Sequence, residues 1–204
     1  MYNGGFPENS KKFDDLKKKY KFFIIEDACH ALGSKYKYQN NFIRIGSCKH
    51  SDVCTFSLHP LKTITSGEGG IITTNSLKFA KNIELFRNHG MSKNKKDINC
   101  SLGLSQLNKI NFFLKKRRKI YKKYVSELKN FSKKLFIPEY SKIIDPAFHL
   151  FLINIKFSKL RNNKDNFMQF LVKNKILAQQ HYIPIYKFKV CKEIKSNFPG
   201  SEKY

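Results

Sequence analysis

The stretch from Asp52 to Gly70 constrains the fold of this chain more than any other. It reads DVCTFSLHPLKTITSGEGG: an apolar strand over 53–56, a polar loop with one lysine (Lys62), and a glycine-rich turn. A second apolar strand follows over 71–74. The other lysines are spread along the chain in exposed runs, so a single lysine between two buried strands is unusual. Held among hydroxyls and backbone amides, such an amine can form a Schiff base with a carbonyl compound.

Length and composition indicate a globular protein without a membrane span. The chain has 204 residues, enough for one large domain or one and a half ordinary ones. An apolar content of 41% supports a hydrophobic core. No apolar run approaches the length of a membrane span, and the N-terminus lacks the apolar segment of a signal peptide.

Five cysteines without a Cys-x-x-Cys pair argue against a disulfide framework or a zinc knuckle. We therefore expect a cytoplasmic location.

The formal net charge of +25 has two interpretations. A nucleic-acid-binding module would use basic patches such as 17–21 and 115–123, and its binding would depend steeply on salt. However, the sequence contains no helix-turn-helix, zinc or RNP-like motif. Lysine, asparagine, isoleucine and phenylalanine are all heavily used, which favours a general composition bias over a polyanion site. We expect no nucleic-acid partner, although an acidic small substrate would benefit from the positive field.

Hydrophobic periodicity predicts an α/β chain with two domains. The expected elements are a helix over 10–21, a strand buried on both faces over 22–25, a polar irregular segment over 35–47, the two strands flanking Lys62, a helix over 76–87, a charged loop over 91–99, a long amphipathic helix over 101–131, a strand over 148–157, a helix over 164–174 and a strand over 177–182. Residues 1–130 would form the larger domain, and 131–204 the beginning of a smaller α/β domain.

Three chemical groups follow one another along the chain: an acid, Asp27, at a strand end; a serine, Ser57, at a second strand end; and Lys62 five residues later. Pyridoxal phosphate (PLP) requires all three kinds of group. A carboxylate keeps its pyridine nitrogen protonated, and hydroxyls with backbone N–H groups hold its phosphate. An amine with a suitable pKa exchanges protons at its aldehyde carbon. The sequence therefore predicts a PLP site.

Two segments, EDACHALGS at 26–34 and FSLHPLKTITSGEGG at 56–70, resemble the signatures of the DegT/DnrJ/EryC1/StrS nucleotide-sugar aminotransferases. FRNHG at 86–90, LGLSQL at 102–107, FHLF at 148–151 and HYIP at 181–184 extend the resemblance over nearly the whole chain, in the same order. These enzymes use PLP and have the aspartate-aminotransferase fold type. The resemblance thus implies a partial PLP-transferase fold: a remnant of the large-domain mixed or parallel sheet, and the start of a small α/β domain.

The resemblance also implies roles for individual residues. Lys62 would be the Schiff-base lysine and proton carrier, and Ser57 would bind the phosphate. Asp27 would pair with the pyridinium nitrogen; alternatively it could cap a helix that begins near Ala28. His30 would lie close to the cofactor ring, with a core histidine as the alternative.

Other residues are implied less directly. His181 and Tyr182 would lie near the substrate, although packing explains them equally well. His149 reads as structural, and the glycines at 67, 69 and 70 would shape the turn after Lys62. No metal is expected. The implied substrates are a nucleotide-linked 4-keto-6-deoxy sugar and glutamate as amino donor, for surface polysaccharide or glycan biosynthesis, and full-length members would be homodimers.

The chain departs from the family pattern at its ends and in one loop. Residues 1–5 correspond to a segment in the middle of the family's large domain, so an N-terminal half and the end of the small domain are expected to be missing. The loop between Gly90 and Leu102 is also shorter than in the family. Because phosphate-binding groups would be lost, we expect the chain alone to bind PLP weakly or not at all. The alternative to an enzyme is a non-catalytic truncated chain, or a split-gene partner of a complementary N-terminal half.

Overall fold

The computed structural model describes residues 1–87, 98–160, 163–191 and 197–202. Its contacts divide the chain into two compact units, Met1–Ile155 and Lys156–Tyr204, which we describe separately. The domain assignment from the sequence, 1–130 and 131–204, stays a prediction. No helix in the described ranges is long and apolar enough to span a membrane.

The first unit combines helices with short strands, as expected for an α/β chain. Its elements are α1 (Lys11–Tyr20), β1 (Ile25–Asp27), β2 (Lys35–Tyr38), β3 (Asn41–Arg44), β4 (Val53–Ser57), β5 (Gly70–Thr73), α2 (Leu77–Arg87), α3 (Ile98–Leu107), α4 (Ile110–Leu128), β6 (Leu135–Phe136), β7 (Ile144–Asp145) and β8 (Asn154–Ile155). In its described residues the second unit contains α5 (Lys164–Lys173), α6 (Pro199–Glu202) and three short 3₁₀ turns.

A three-stranded mixed sheet, in the order β1–β4–β5, organises the first unit. β1 and β4 are parallel, with Asp27 opposite Thr55, and β4 and β5 are antiparallel, with Ser57 opposite Gly70. Since partners in register share a face of the sheet, Asp27 and Ser57 lie on one face. This face, which also carries Ile25 and Ile72, is called the open face below.

The opposite face of the sheet packs on the hydrophobic core. Glu26, Cys54 and Phe56 project from this face and are buried. The Tyr2 hydroxyl donates a hydrogen bond of 2.8 Å to the Glu26 carboxylate, which satisfies a buried charge. The N-terminal segment is thereby fixed against the sheet. The core cluster consists of Tyr2, Ala28, Ala31, Tyr36, Ile45, Cys48, Cys54 and Phe56.

The expected strand over 22–25 is wrong in its position, because β1 begins only at Ile25. Phe22, Phe23 and Ile25 are exposed rather than buried. Among the described strands β1 has β4 as its one neighbour, so it is an edge strand; on its outer side the Asp27 carbonyl accepts the Tyr2 N–H at 3.0 Å. A strand buried on both faces requires covering layers that these residues do not have.

The segment 35–47 is a β-hairpin rather than irregular. β2 pairs with β3, and the connecting residues Gln39 and Asn40 both have positive φ, as the favoured two-residue hairpin turns require. The alternation Lys-Tyr-Lys-Tyr over β2 carries this signal in the sequence: Tyr36 is buried, while Lys35 and Lys37 are half-buried.

The long helix expected over 101–131 is two helices, α3 and α4, separated at 108–109. The Lys109 N–H donates to the Gln106 carbonyl at 3.0 Å. This hydrogen bond spans three residues, as in a 3₁₀ turn, instead of the four of an α-helix, and it ends α3. The helices expected over 10–21, 76–87 and 164–174 are confirmed as α1, α2 and α5. Of the loop expected over 91–99, residues 91–97 lie outside the described ranges, and the remainder belongs to α3.

Two strands expected near the C-terminus are largely wrong. Within residues 148–157, the two residues of β8 form the only strand, and β8 pairs with β6. Phe148 has a φ of 50°, which a strand does not allow, and its ring packs 4.2 Å from that of Tyr121 in α4. Residues 177–182 contain no strand, and Leu177 is exposed. The apolar run over 148–157 favoured a strand by its composition, but it has few pairing partners in the described ranges.

Candidate functional site

Asp27 is the last residue of β1 and is half-buried. Its Oδ1 atom accepts the Cys29 N–H at 3.1 Å, a turn that fixes the carboxylate at the strand end. The interpretation of Asp27 as a helix cap is wrong, because turns rather than a helix follow Ala28. The Ala31 N–H donates to the Ala28 carbonyl at 2.8 Å to close the first of these turns.

The electrostatics around Asp27 favour its ionised form. Burial alone would raise the pKa of Asp27, but hydrogen bonds from Cys29 and the nearby charges of the N-terminus and His30 lower it overall. Burial and the Asp27 carboxylate raise the pKa of the Cys29 thiol, while the charge of Lys62 opposes the rise. Lys62 thus acts electrostatically on the Cys29 thiol, two residues after Asp27.

Ser57 ends β4 on the open face, beside Asp27 on the adjacent parallel strand. Strand spacings place their Cα atoms roughly 8 Å apart, two residues out of register. The Ser57 Oγ atom accepts the His59 N–H at 3.3 Å, which leaves its hydroxyl hydrogen directed elsewhere. Opposite Ser57, a Cβ on Gly70 would lie 2.8 Å from the Phe56 carbonyl oxygen. Only glycine lets β5 approach this closely.

The Lys62 loop is closed by its own backbone. The Lys62 N–H donates to the His59 carbonyl at 2.9 Å. At the base of the loop, the Leu58 N–H donates to the Gly69 carbonyl at 2.9 Å and the Leu58 carbonyl accepts the Ser66 N–H at 3.0 Å. Thr63, Ile64 and Ser66 are buried while Lys62 is half-buried. The loop is therefore anchored around a lysine whose side chain is partly accessible.

His30 is 3% exposed and lies against the N-terminal turn. Its Nδ1 atom accepts the Gly4 N–H at 3.4 Å, and its ring lies 4.4 Å from that of His149. When the His30 imidazole is neutral, this hydrogen bond leaves its proton on Nε2, and the Nε2–H can then donate a hydrogen bond. His149, which the sequence predicts to be structural, therefore contacts a predicted site residue. The FHLF motif that contains it was the available signal.

Arg117 of α4 supports the segment that carries His149. Its Nη1 atom donates to the carbonyls of Phe148 at 3.3 Å and His149 at 3.1 Å, and burial lowers the pKa of the guanidinium. On the other side, the Gly5 carbonyl accepts the Ala147 N–H at 3.0 Å. The segment 147–149 is thus held between α4 and the N-terminal turn.

His181 and Tyr182 lie in the second unit, with ring centroids 4.1 Å apart. Tyr182 is exposed and His181 is half-buried. Their predicted proximity to the substrate stays a prediction. No cluster of three or more candidate metal ligands occurs in the ranges that the structure describes.

The residues fit PLP in chemical type. A carboxylate that remains ionised at neutral pH, a hydroxyl one strand away and an amine on the following loop are the groups that this cofactor needs. Asp27 and Ser57 occupy the carboxyl ends of neighbouring parallel strands, where open α/β sheets bind ligands. His30 lies close by in sequence but is buried beneath the N-terminal turn.

Comparisons with known proteins identify the family and the fold of the chain. The profile of the DegT/DnrJ/EryC1/StrS aminotransferase family matches residues 3–204. The UDP-4-amino-4,6-dideoxy-N-acetyl-beta-L-altrosamine transaminase of Campylobacter jejuni is 32% identical over 208 residues, 94% of this chain and 53% of that protein. Helicobacter pylori PseC, an aminotransferase involved in the biosynthesis of pseudoaminic acid, superposes with a TM-score of 0.83 at 29% identity, covering 98% of this chain and 57% of that chain.

A Streptococcus pneumoniae protein described as a sugar aminotransferase, in its PLP form, shares the fold with a TM-score of 0.78 at 23% identity, over 100% of this chain and 58% of that one. The partial aminotransferase fold expected from the sequence is confirmed by these superpositions. The chain spans about half the length of the curated relatives that it matches.

Proposed function

The chain belongs to the DegT/DnrJ/EryC1/StrS aminotransferase family, and we propose that it supplies the lysine-bearing part of a PLP-dependent nucleotide-sugar aminotransferase. The observation that carries the proposal is the placement of Asp27 and Ser57 on one sheet face, with Lys62 on the loop that β4 enters. The resemblance found in the sequence motifs is confirmed by the family match.

PLP, when bound, supplies an electron sink that stabilises negative charge developing at the carbon of an amino group. The Asp27 carboxylate would keep the pyridine nitrogen protonated. Its lowered pKa ensures that it carries the necessary negative charge at neutral pH. The Cys29 N–H holds the carboxylate in one orientation, so little reorganisation is needed.

Ser57 and Lys62 would perform the remaining tasks. The Ser57 hydroxyl would donate to a phosphate oxygen. Lys62 Nζ would hold the cofactor at its aldehyde carbon and, once the amino group of the donor has displaced it, the free amine would carry a proton between two carbons. The His30 Nε2–H would donate to the oxygen substituent of the ring. The hydrogen bond from Gly4 favours that tautomer.

We propose a 4-keto-6-deoxy sugar linked to a nucleotide as amino acceptor and glutamate as donor, in surface polysaccharide or glycan biosynthesis. The C. jejuni transaminase, whose name specifies an amino-dideoxy sugar attached to UDP, supports this substrate class. The net charge of +25 would attract a diphosphate-linked substrate. Homodimer formation and a cytoplasmic location belong to the same proposal, as do the suggested contacts of His181 and Tyr182 with substrate.

The direct test is covalent capture of PLP by the chain, combined with the part of the C. jejuni transaminase that it does not match. PLP is added, the mixture is reduced with borohydride, and peptides are mapped by mass. We expect the cofactor on Lys62 in the parent chain and none in Lys62→Ala. Amino transfer is then measured with glutamate and the nucleotide-linked keto sugar.

Lys78→Ala serves as the matched control, because this exposed lysine lies in α2 outside the candidate site. It should label and react like the parent chain. Equal labelling of Lys62→Ala and the parent would overturn the assignment of Lys62. Labelling at Lys62 without any transfer from an amino donor would overturn the proposed reaction.

A further inference from the structure

The outward side of α4 carries a concentration of lysines. Leu114 and Tyr121 are buried and mark the side of the helix that packs on the rest of the first unit. By the helical repeat, the opposite side and its flanks present six exposed residues: Phe112, Lys115, Lys116, Lys119, Lys122 and Lys123. We call these six residues the α4 lysine face. Glu127 is the one acidic residue in α4, so this face is strongly positive.

The lysines of the α4 lysine face have no acidic partner within the described ranges. The lysines of α1 differ, because three of them form ion pairs: Lys11 with Asp14 and Asp15, Lys17 with Asp52, and Lys18 with Asp14. A lysine-rich composition explains the number of lysines in the chain, but not five unpaired ones on one side of one helix. Like charges on adjacent helical turns repel one another, and a polyanion that binds them relieves this repulsion.

Apolar side chains lie among these charges. Phe112 is 58% exposed, and Lys116 Nζ lies 5.3 Å from the centroid of its ring. Ile120, at the border of the α4 lysine face, is 55% exposed. Lysines combined with an exposed aromatic residue on one helix face are typical of helices that lie on the headgroup region of a lipid bilayer.

The arginines of α4 are engaged within the first unit. Arg117 donates to the Phe148 and His149 carbonyls, and Arg118 pairs with Asp145 at 2.7 Å. Arginine supplies the planar, bidentate contacts by which proteins recognise nucleic acids. A face that carries lysine and phenylalanine without arginine therefore fits lipid phosphates better than a nucleic acid.

We propose that the α4 lysine face docks on an anionic lipid bilayer, with its lysines near the lipid phosphates and Phe112 in the headgroup region. At a rise of about 1.5 Å per residue, the lysines from 115 to 123 extend over about 12 Å of the helix. Each lysine close to an anionic bilayer strengthens binding by about fivefold. The attachment is peripheral, and it requires neither the cofactor nor the substrate of the proposed amino transfer.

The test measures sedimentation of the whole 204-residue chain with lipid vesicles at about 0.15 M salt, without PLP or substrate. Vesicles that contain phosphatidylglycerol should bind the chain, whereas vesicles of phosphatidylcholine alone should not. The double variant Lys119→Glu/Lys122→Glu reverses two charges of the face and should weaken binding by about 25-fold or more. Phe112→Ser removes the apolar anchor and should weaken binding by about fivefold.

Lys78→Glu/Lys81→Glu is the matched control. These two exposed lysines lie in α2 with the same spacing, and the substitutions change the net charge by the same amount. Because salt screens charges that do not touch the bilayer, this variant should bind within about threefold of the parent. Circular dichroism establishes that all the variants are folded.

Three results would overturn the proposal. The first is no binding of the parent to phosphatidylglycerol vesicles. The second is equal weakening by the two double variants, which would mean that net charge alone attracts the chain. The third is tighter binding to a short RNA duplex than to the vesicles, abolished by Lys119→Glu/Lys122→Glu. Parent-like binding of Phe112→Ser would refute the placement of Phe112 in the headgroup region.

Discussion

The Tyr36 hydroxyl and the Nδ1 atom of His50 lie 2.7 Å apart beneath the buried face of the sheet. Both side chains are buried, and the ring of Tyr38 closes the His50 site with an edge-on contact at 4.7 Å. Burial lowers the pKa of His50, and it raises the pKa of Tyr36. The charged groups that act on His50 are Asp14, Lys11, Lys49 and Glu26.

Stability should fall as the pH drops through 6.5, the ordinary pKa of histidine. Below that pH the unfolded chain binds a proton at position 50 that the folded chain resists, so the unfolded state gains stability. His50→Phe removes this contribution, and at pH 7.5 it should cost about 1 kcal/mol through loss of the Tyr36 bond. Urea unfolding at pH 7.5 and 5.5 should show that this difference shrinks in acid. The exposed-site variant His59→Gln should track the parent at both pH values.

Asp27→Asn should slow amino transfer in the reconstituted enzyme by about 100-fold or more. The neutral amide cannot stabilise a protonated pyridine nitrogen, although it retains the shape of the side chain. Asp27→Glu keeps the charge and should recover part of the rate. The measurement is the single-turnover rate at saturating amino donor, with melting temperatures to establish that the fold is intact. Asparagine at the parent rate would contradict the assigned role.

The elements that the sequence predicted correctly share a local signal. In α1, α2 and α5 a helical period is sufficient, because a helix forms its hydrogen bonds within one segment. The strand pair around Lys62 was also correct, since two apolar runs flank a glycine turn. Asp27, Ser57 and Lys62 were recognised by resemblance, and the structure adds that the first two lie on the same sheet face.

The failures arise where the outcome depends on distant residues. The 22–25 run is apolar enough for a buried strand, but Ile25 is exposed because no layer covers it in the described ranges. Phe148 reads as a strand residue, yet it packs with Tyr121 in a left-handed conformation. The contact between His30 and His149 joins residues far apart in the sequence. Patterns within one segment of the sequence do not indicate such a contact.

Asp52 should stabilise the junction of α1 and β1. Its Oδ1 atom pairs with Lys17 Nζ at 2.5 Å, and its Oδ2 atom accepts the Ile24 N–H at 2.8 Å. Burial alone would raise the pKa of Asp52, but these contacts lower it overall. Asp52→Asn should therefore cost about 1–2 kcal/mol in the free energy of unfolding at pH 7. The difference should diminish as the pH falls below 3.8, the ordinary pKa of aspartate, because the unfolded chain then binds a proton that the folded carboxylate still resists.

Asp15→Asn is the control for Asp52. Asp15 also pairs with a lysine, Lys11, but its side chain is exposed on α1. Exposed ion pairs contribute little, so this variant should leave the free energy of unfolding nearly unchanged. Equal effects of the two variants would show that Asp52 acts only as a surface charge.

Gly5→Ala should disturb both stability and the site. Gly5 has a φ of 89°, and a Cβ there would lie 2.7 Å from the His30 carbonyl oxygen and 3.0 Å from the His149 nitrogen. These neighbours are backbone atoms that cannot rotate away, so the turn or the two histidines must move. We expect Gly5→Ala to lose about 3 kcal/mol of stability from strain and crowding together.

Gly200→Ala is the matched substitution, because nothing lies within 4 Å of the added Cβ, and it should be neutral or slightly stabilising. Urea unfolding measures both effects, and long-range proton–nitrogen NMR of the imidazoles should show a changed His30 tautomer in Gly5→Ala alone. A parent-like His30 spectrum in a destabilised Gly5→Ala would mean that the N-terminal turn stabilises the fold without positioning this histidine.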